Sequence, residues 1–184
     1  MMHFYQTQKL PASKWRNGGG ETREIVSFPP EHSEFGWRAS IATIAASGDF
    51  SRFPDVDRVI TLIEGEKVEL YGPEQPSHAL LLNQPFCFPG ELAISAKLFG
   101  DASLDFNIMT RREQFSAQVV ISSTAQRSEM GVCWVIAGEW RSGAQRLSRG
   151  EGAWWTQSGE TLTPLADDAL ILFAAITPNI SRDP

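Results

Sequence analysis

The hexapeptide Thr61-Leu62-Ile63-Glu64-Gly65-Glu66 returns in the second half of the chain as Trp134-Val135-Ile136-Ala137-Gly138-Glu139. The likeness continues beyond it. Each copy is followed by a Leu (Leu82; Leu147) and an aromatic pair (Phe86 and Phe88; Trp154 and Trp155). A short strand-like run comes next (Ala93–Leu98; Thr161–Leu165), and then a longer apolar one (Leu104–Met109; Ala169–Ile176). A sequence that repeats such a unit is expected to build the same local arrangement twice.

That arrangement is β. Strand-like runs recur from Arg23–Phe28 and Trp37–Ala45 through Arg58–Ile63, Val68–Tyr71 and Leu104–Thr110 to Ala117–Ser122, Val132–Ile136 and Ala169–Ile176, punctuated by Gly, Pro, Asn, Asp and Ser. No window carries a helical stripe capped at both ends. The order of strand, Gly-Glu turn, strand, aromatic pair, strand and final strand resembles a jelly-roll half-barrel of the cupin type, and two copies make an all-β bicupin. Residues 1–112 would form the first half, carrying a pocket, and 113–184 the second, mainly structural. Any two β-meanders share this order at coarse resolution, so an ordinary β-sandwich stays open. The 184 residues suffice for one sizeable core or two small ones.

Only the first half contains Trp15–Glu24, WRNGGGETRE. Three consecutive glycines carry a backbone-entropy cost that a compact domain accepts where φ is positive or another group must approach closely. Trp15 before them and Arg23 after them suit a small polar or anionic molecule. A plain turn joining two edge strands explains the same residues. A phosphate loop does not, because neither a Gly-Lys-Ser/Thr ending nor a strand-to-helix context is present.

Charge and titratable residues narrow the function. A net charge of −6 with a pI near 5.1 argues against nucleic acid and anionic membrane as partners. No run approaches the roughly 20 apolar residues of a membrane span, and the N-terminus lacks the pattern of a secretory signal. Cys87 and Cys133, far apart inside apolar runs, read as buried free thiols in a cytoplasmic protein. His3, His32 and His78 stand alone. A cupin metal site takes two His from one strand, so neither a metal nor any other cofactor is expected. No Gly-x-Ser-x-Gly elbow marks a nucleophile.

Polar residues inside apolar strands say more. Alternation places Arg38, Ser40 and Ala42 on one face and Trp37, Ala39 and Ile41 on the other. Likewise Asp105, Asn107 and Met109 share a face opposite Phe106 and Ile108. An apolar wall with a few polar groups is the composition of a ligand pocket. Arg38 and Asp105 on an outer, solvated face would satisfy the same pattern. Phe50-Ser51-Arg52-Phe53-Pro54 reads as a loop that either covers a barrel mouth or packs its own Phe residues under the sheet.

These stretches carry a resemblance. Trp15–Ile25 (WRNGGGETREI), Trp37–Ala42 (WRASIA), Phe50-Ser51-x-Phe53-Pro54 with Asp57-Arg58, and Asp105–Arg111 (DFNIMTR) resemble the HutD family, and the second half looks closest to its Ves-like branch. The resemblance implies a bicupin without the usual metal ligands. It also implies a non-enzymatic role linked to histidine utilisation, with a pathway intermediate such as N-formyl-glutamate as ligand. The Ves-like branch is associated with stress and cold response.

Three functions follow for testing. In the first, Arg23, Arg38 and Arg58 take carboxylates of a small anionic metabolite, and Asn17, Ser40 and Asn107 take its amide or formyl groups. Trp15, Trp37, Phe53 and Met109 form the walls, and Gly19 belongs to the same set. In the second, Asp105 or Glu24 is the acid–base group of a metal-free isomerase or epimerase. In the third the barrel is a scaffold, and Trp134, Trp140, Trp154 and Trp155 form a homodimer surface unless they are core.

Overall fold

The computed structural model describes residues 1–157 and 159–180 and is built almost entirely of strands. Two compact units form: Pro11–Glu113, and Met1–Leu10 together with the chain from Gln114 onward. Residues 1–10 join the second unit because His3–Gln6 pairs antiparallel with Glu151–Trp155 at the edge of its sheet. Four residues with no apolar alternation carry no strand signal by themselves, and pairing supplies it.

In Pro11–Glu113 the larger sheet has the order Ala12–Lys14, Gly20–Phe28, Trp37–Ile44, Ser103–Arg111, Val56–Glu64, Phe86–Pro89. The smaller has the order Gly48–Asp49, Ser95–Leu98, Val68–Gly72, Gln75–Leu80. One apolar cluster joins Ile44, Ile60 and Leu62 of the larger sheet to Val68, Leu70, Leu80 and Ala96 of the smaller. Burying such side chains stabilises by roughly 1.5–3 kcal/mol each. Along the same inward face the residues then change character, from Ile44 to Ala42, Ser40 and Arg38, and from Leu62 and Ile60 to Arg58. The core fills one end of this half-barrel and leaves the other polar.

In the second unit the larger sheet runs His3–Gln6, Glu151–Trp155, Gly131–Ala137, Leu170–Pro178, Phe115–Ser122. The smaller runs Gln145–Leu147, Trp140–Ser142, Leu162–Pro164. Its core contains Cys133, Trp140, Leu147, Trp155, Leu162, Ile171 and Phe173. Trp134, Trp140 and Trp155 are buried, while Trp154 is half-buried and stacks on His3 at 4.0 Å.

The repeat holds in three dimensions down to its irregularities. Gly65 and Gly138 both have positive φ, +103° and +67°. A Cβ on Gly65 would lie 3.0 Å from the Ser103 Cα, and one on Gly138 2.8 Å from the Ala169 Cα. A bulge precedes each, where Leu104 and Asp105 pair with Glu64 and Leu62, and where Leu170 and Ile171 pair with Ala137 and Val135. The bulges put the two halves in one register, with Asp105 equivalent to Ile171 and Arg58 to Gly131. In that register the aromatic pair is offset by one: Phe88 matches Trp155, and Trp154 matches Cys87. Cys133 is buried, but Cys87, expected to be buried, is exposed because Phe86 and Phe88 take the inward side of its edge strand. Among the described residues no helix is long and apolar enough to cross a membrane.

Candidate functional site

The glycine run is a hairpin turn between Ala12–Lys14 and Gly20–Phe28. Gly18 holds φ at +73°, a conformation in which a side chain is strained. The Gly19 N–H donates to Asn17 Oδ1 at 2.8 Å, and its carbonyl accepts from the N–H groups of Ala45 and Ala46. A Cβ on Gly20 would lie 2.2 Å from the Thr43 carbonyl oxygen and 3.0 Å from the Trp15 ring. Trp15 Nε1 donates to Thr22 Oγ1 at 2.8 Å, which fixes the indole across the turn. The two readings of the motif therefore combine: it is a turn, and its flanks reach a cavity.

That cavity, about 460 Å³, opens at the polar end of the first half-barrel. Its lining includes Trp15, Asn17, Arg38, Ser40, Phe53, Arg58, Asn107 and Met109, eight of the residues expected from sequence. Arg38, Ser40 and Ala42 face it from one strand, and Asp105, Asn107 and Met109 from the next, with Asn107 opposite Ser40 and Met109 opposite Arg38. Phe50, Ser51 and Phe53 bring the 50–54 loop to the same space.

Three expected residues lie elsewhere. Arg23 pairs with Ile41 and shares its face, while its neighbour Thr22, opposite Ala42, lines the cavity; Arg23 reaches Glu21 at 3.7 Å instead. Trp37 is fully buried on the reverse of the sheet and stacks on Phe28. Gly19 has only backbone to offer, and its N–H and carbonyl are engaged in the turn. Sequence reasoning missed Lys14, Arg16, Thr22 and Asp49 as lining groups. The strand parity of Thr22 was the one available signal, since it follows from pairing Thr22 with Ala42.

The floor is charged and buried. Arg58 is 7% exposed; its Nη1 donates to the Ser51 carbonyl at 3.3 Å, and its guanidinium lies 4.9–5.6 Å from the ring centroids of Phe50, Phe53 and Phe88. Burial lowers it to about 10, opposed by the charge of Asp105 and reinforced by that of Arg38. Asp105, 2% exposed, accepts a hydrogen bond from Asn107 Nδ2 on Oδ1. Burial raises its carboxyl to about 7, although Asn107 and Arg58 both pull it down. Arg38 Nε donates to Glu24 Oε1 at 2.9 Å at the partly exposed rim. Among the described residues, four cationic side chains (Lys14, Arg16, Arg38, Arg58) and two acidic ones (Asp49, Asp105) line the cavity. Such a balance gives the lining an excess of positive charge.

The histidines are dispersed: His3 stacks on Trp154, and His78 on Phe86 at 3.8 Å. Among the described residues no group of three or more His, Cys, Asp or Glu side chains converges as metal ligands would.

Comparison with known proteins extends the reading beyond the cavity. The HutD family model matches residues 7–173. Protein Ves of Citrobacter koseri is 45% identical over 180 residues, covering 96% of this chain and 94% of that protein. Protein Ves of Cronobacter sakazakii is 43% identical over 180 residues, covering 96% and 99%. Among solved structures, HutD from Pseudomonas fluorescens SBW25, determined in a formate condition, aligns with a TM-score of 0.85 at 27% identity, covering 98% of this chain and all of that one.

Proposed function

The chain belongs to the HutD family, and from that premise we propose that the Pro11–Glu113 half-barrel is a binding site for a small anionic, amino-acid-like metabolite. One observation carries the reading: Arg58 is buried at the cavity floor, held by aromatic rings and a carbonyl, with no carboxylate in ion-pair contact among the described residues. A buried guanidinium with no carboxylate in contact is costly in a free protein, and a ligand carboxylate offsets that cost. A charge-assisted contact of this kind contributes roughly 1.5–3 kcal/mol. Arg38, Lys14 and Arg16 guide an anion inward from the rim, and Ser40, Asn17 and Asn107 offer hydrogen bonds to amide or formyl groups. N-formyl-glutamate, the ligand implied by the family resemblance, has this chemistry.

Calorimetry and thermal shift with N-formyl-L-glutamate, L-glutamate and urocanate test the proposal. The expected result is saturable binding by at least one of them, near micromolar, and its loss in Arg58→Gln. Absence of heat and of any shift across the set would overturn it.

A second reading rests on Asp105. A buried carboxyl that titrates at about 7 beside a cavity is placed for proton transfer, as an isomerase or epimerase requires. Glu24, the other acid considered for that role, is exposed and paired with Arg38. Turnover of a bound metabolite, abolished by Asp105→Asn while binding persists, would favour this reading; binding without turnover of a broad metabolite panel would leave the first.

A further inference from the structure

Six buried side-chain N or O atoms lack a hydrogen-bond partner among the described residues: Trp37 Nε1, Arg58 Nε, Asn83 Oδ1, Ser103 Oγ, Asp105 Oδ2 and Trp140 Nε1. Only Arg58 and Asp105 among their owners line the cavity. The two are opposite in kind, one a cationic donor and the other a carboxylate acceptor. They do not satisfy each other, since no ion pair joins them. Their positions are nonetheless fixed. Asn107 Nδ2 anchors Oδ1 of Asp105, while the Ser51 carbonyl and three rings hold Arg58.

A ligand that offers only acceptors completes half of this floor. Its carboxylate satisfies Arg58, but it brings a second anion towards Asp105 and leaves Oδ2 buried and unpaired. Buried polar groups left without a partner are what make a polar site reject an analogue lacking the matching group. A compound carrying a carboxylate and an N–H on the same small framework completes both. We propose that the cavity selects such compounds, amino acids or N-acyl amino acids, over plain dicarboxylic acids, with Arg58 taking the carboxylate and the Asp105 carboxylate accepting from the N–H. The proposal rests on the anionic-ligand reading above and makes Asp105 a specificity-determining residue.

Matched ligands test it on the full chain by calorimetry at pH 8. L-glutamate and N-formyl-L-glutamate carry the nitrogen; glutarate and 2-methylglutarate keep both carboxylates without it. The expected result is that the tighter nitrogen compound binds at least about 10-fold better than either dicarboxylate. The ratio should fall to within about threefold in Asp105→Leu and decrease in the isosteric Asp105→Asn, while Arg58→Gln weakens all four ligands alike. Dicarboxylates binding as tightly as the nitrogen compounds would overturn the selection and leave the anion site standing. An unchanged ratio in both Asp105 variants, each folded by thermal melt, would overturn the role of Asp105. No binding of any of the four would overturn this inference together with the reading beneath it.

Discussion

The two half-barrels share a scaffold and differ in what points inward. In their common register the first half carries Asp105, Asn107 and Met109 where the second carries Ile171, Phe173 and Ala175. It has Arg38, Ser40 and Ala42 against Gln118, Val120 and Ser122. Where the first has Arg58 over the Phe88 ring, the second has Gly131, on which a Cβ would lie 2.9 Å from Cζ2 of Trp155, the equivalent of Phe88. Among the described residues, seven buried polar ones, Ser40, Arg58, Thr61, Ser103, Asp105, Asn107 and Thr110, belong to the first unit, and Ser142 to the second. The lesson is that one duplicated fold can be specialised position by position: apolar side chains close one copy, and polar ones hold the other open at a cost in stability.

The largest expected effect tests the closed copy. Trp155→Ala removes a fully buried ring that packs on Phe173 at 5.5 Å. Denaturant unfolding should show a loss of about 3–5 kcal/mol, whereas Met109→Ala, beside the cavity, should cost less than about 2 kcal/mol. Equal losses would break the contrast between filled and open halves.

Asp105 sharpens the contrast from the other side. Its carboxyl is raised from an ordinary value of 3.8 to about 7 by burial, so the unfolded chain loses the proton before the folded one does. Stability from this group is therefore complete below about pH 4 and is lost progressively as pH rises to about 7. At roughly 1.4 kcal/mol per unit, Asp105→Asn should stabilise the unliganded protein by about 2–4 kcal/mol at pH 8 and leave it unchanged at pH 4. Melting curves at the two pH values check this. A variant that is less stable at pH 8 would contradict a penalty for the open site.

Smaller effects probe the hairpin that only the first half owns. In Gly20→Ala the new Cβ meets the Thr43 carbonyl and the Trp15 ring, so the turn must shift. A loss of about 1–2 kcal/mol and weaker binding of the ligand found by calorimetry are expected, with Trp15 displaced. Ser40→Val, which copies Val120, should change stability by less than about 1 kcal/mol while reducing affinity several-fold. If it leaves affinity untouched, Ser40 is not part of the recognition surface.

Much of this was legible in the chain. The duplicated Gly-Glu turn needs no tertiary information, because Gly65 and Gly138 carry the positive φ that ends their strands. Period-two alternation likewise separates Arg38 and Ser40 from Trp37, and Asp105 and Asn107 from Phe106, before any pairing is known. It does not say which face encloses space. Trp37, chosen as a pocket wall, lies on the reverse of the sheet, and Arg23, chosen as a carboxylate ligand, sits one residue out of phase with Thr22.

Those outcomes depend on the register between paired strands, including the bulge between Glu24 and Val26. A slip of one residue exchanges the two faces, and local sequence carries little penalty against it. Lys14, Arg16 and Asp49 reach the cavity for the same reason, since pairing and loop closure bring them there without any periodic pattern of their own. Strand content, duplication and face composition are local properties of side chains and are written in their order. The polar cavity at one end of one half, with Arg58 and Asp105 both lining it, exists only once long-range pairing has set which faces look inward.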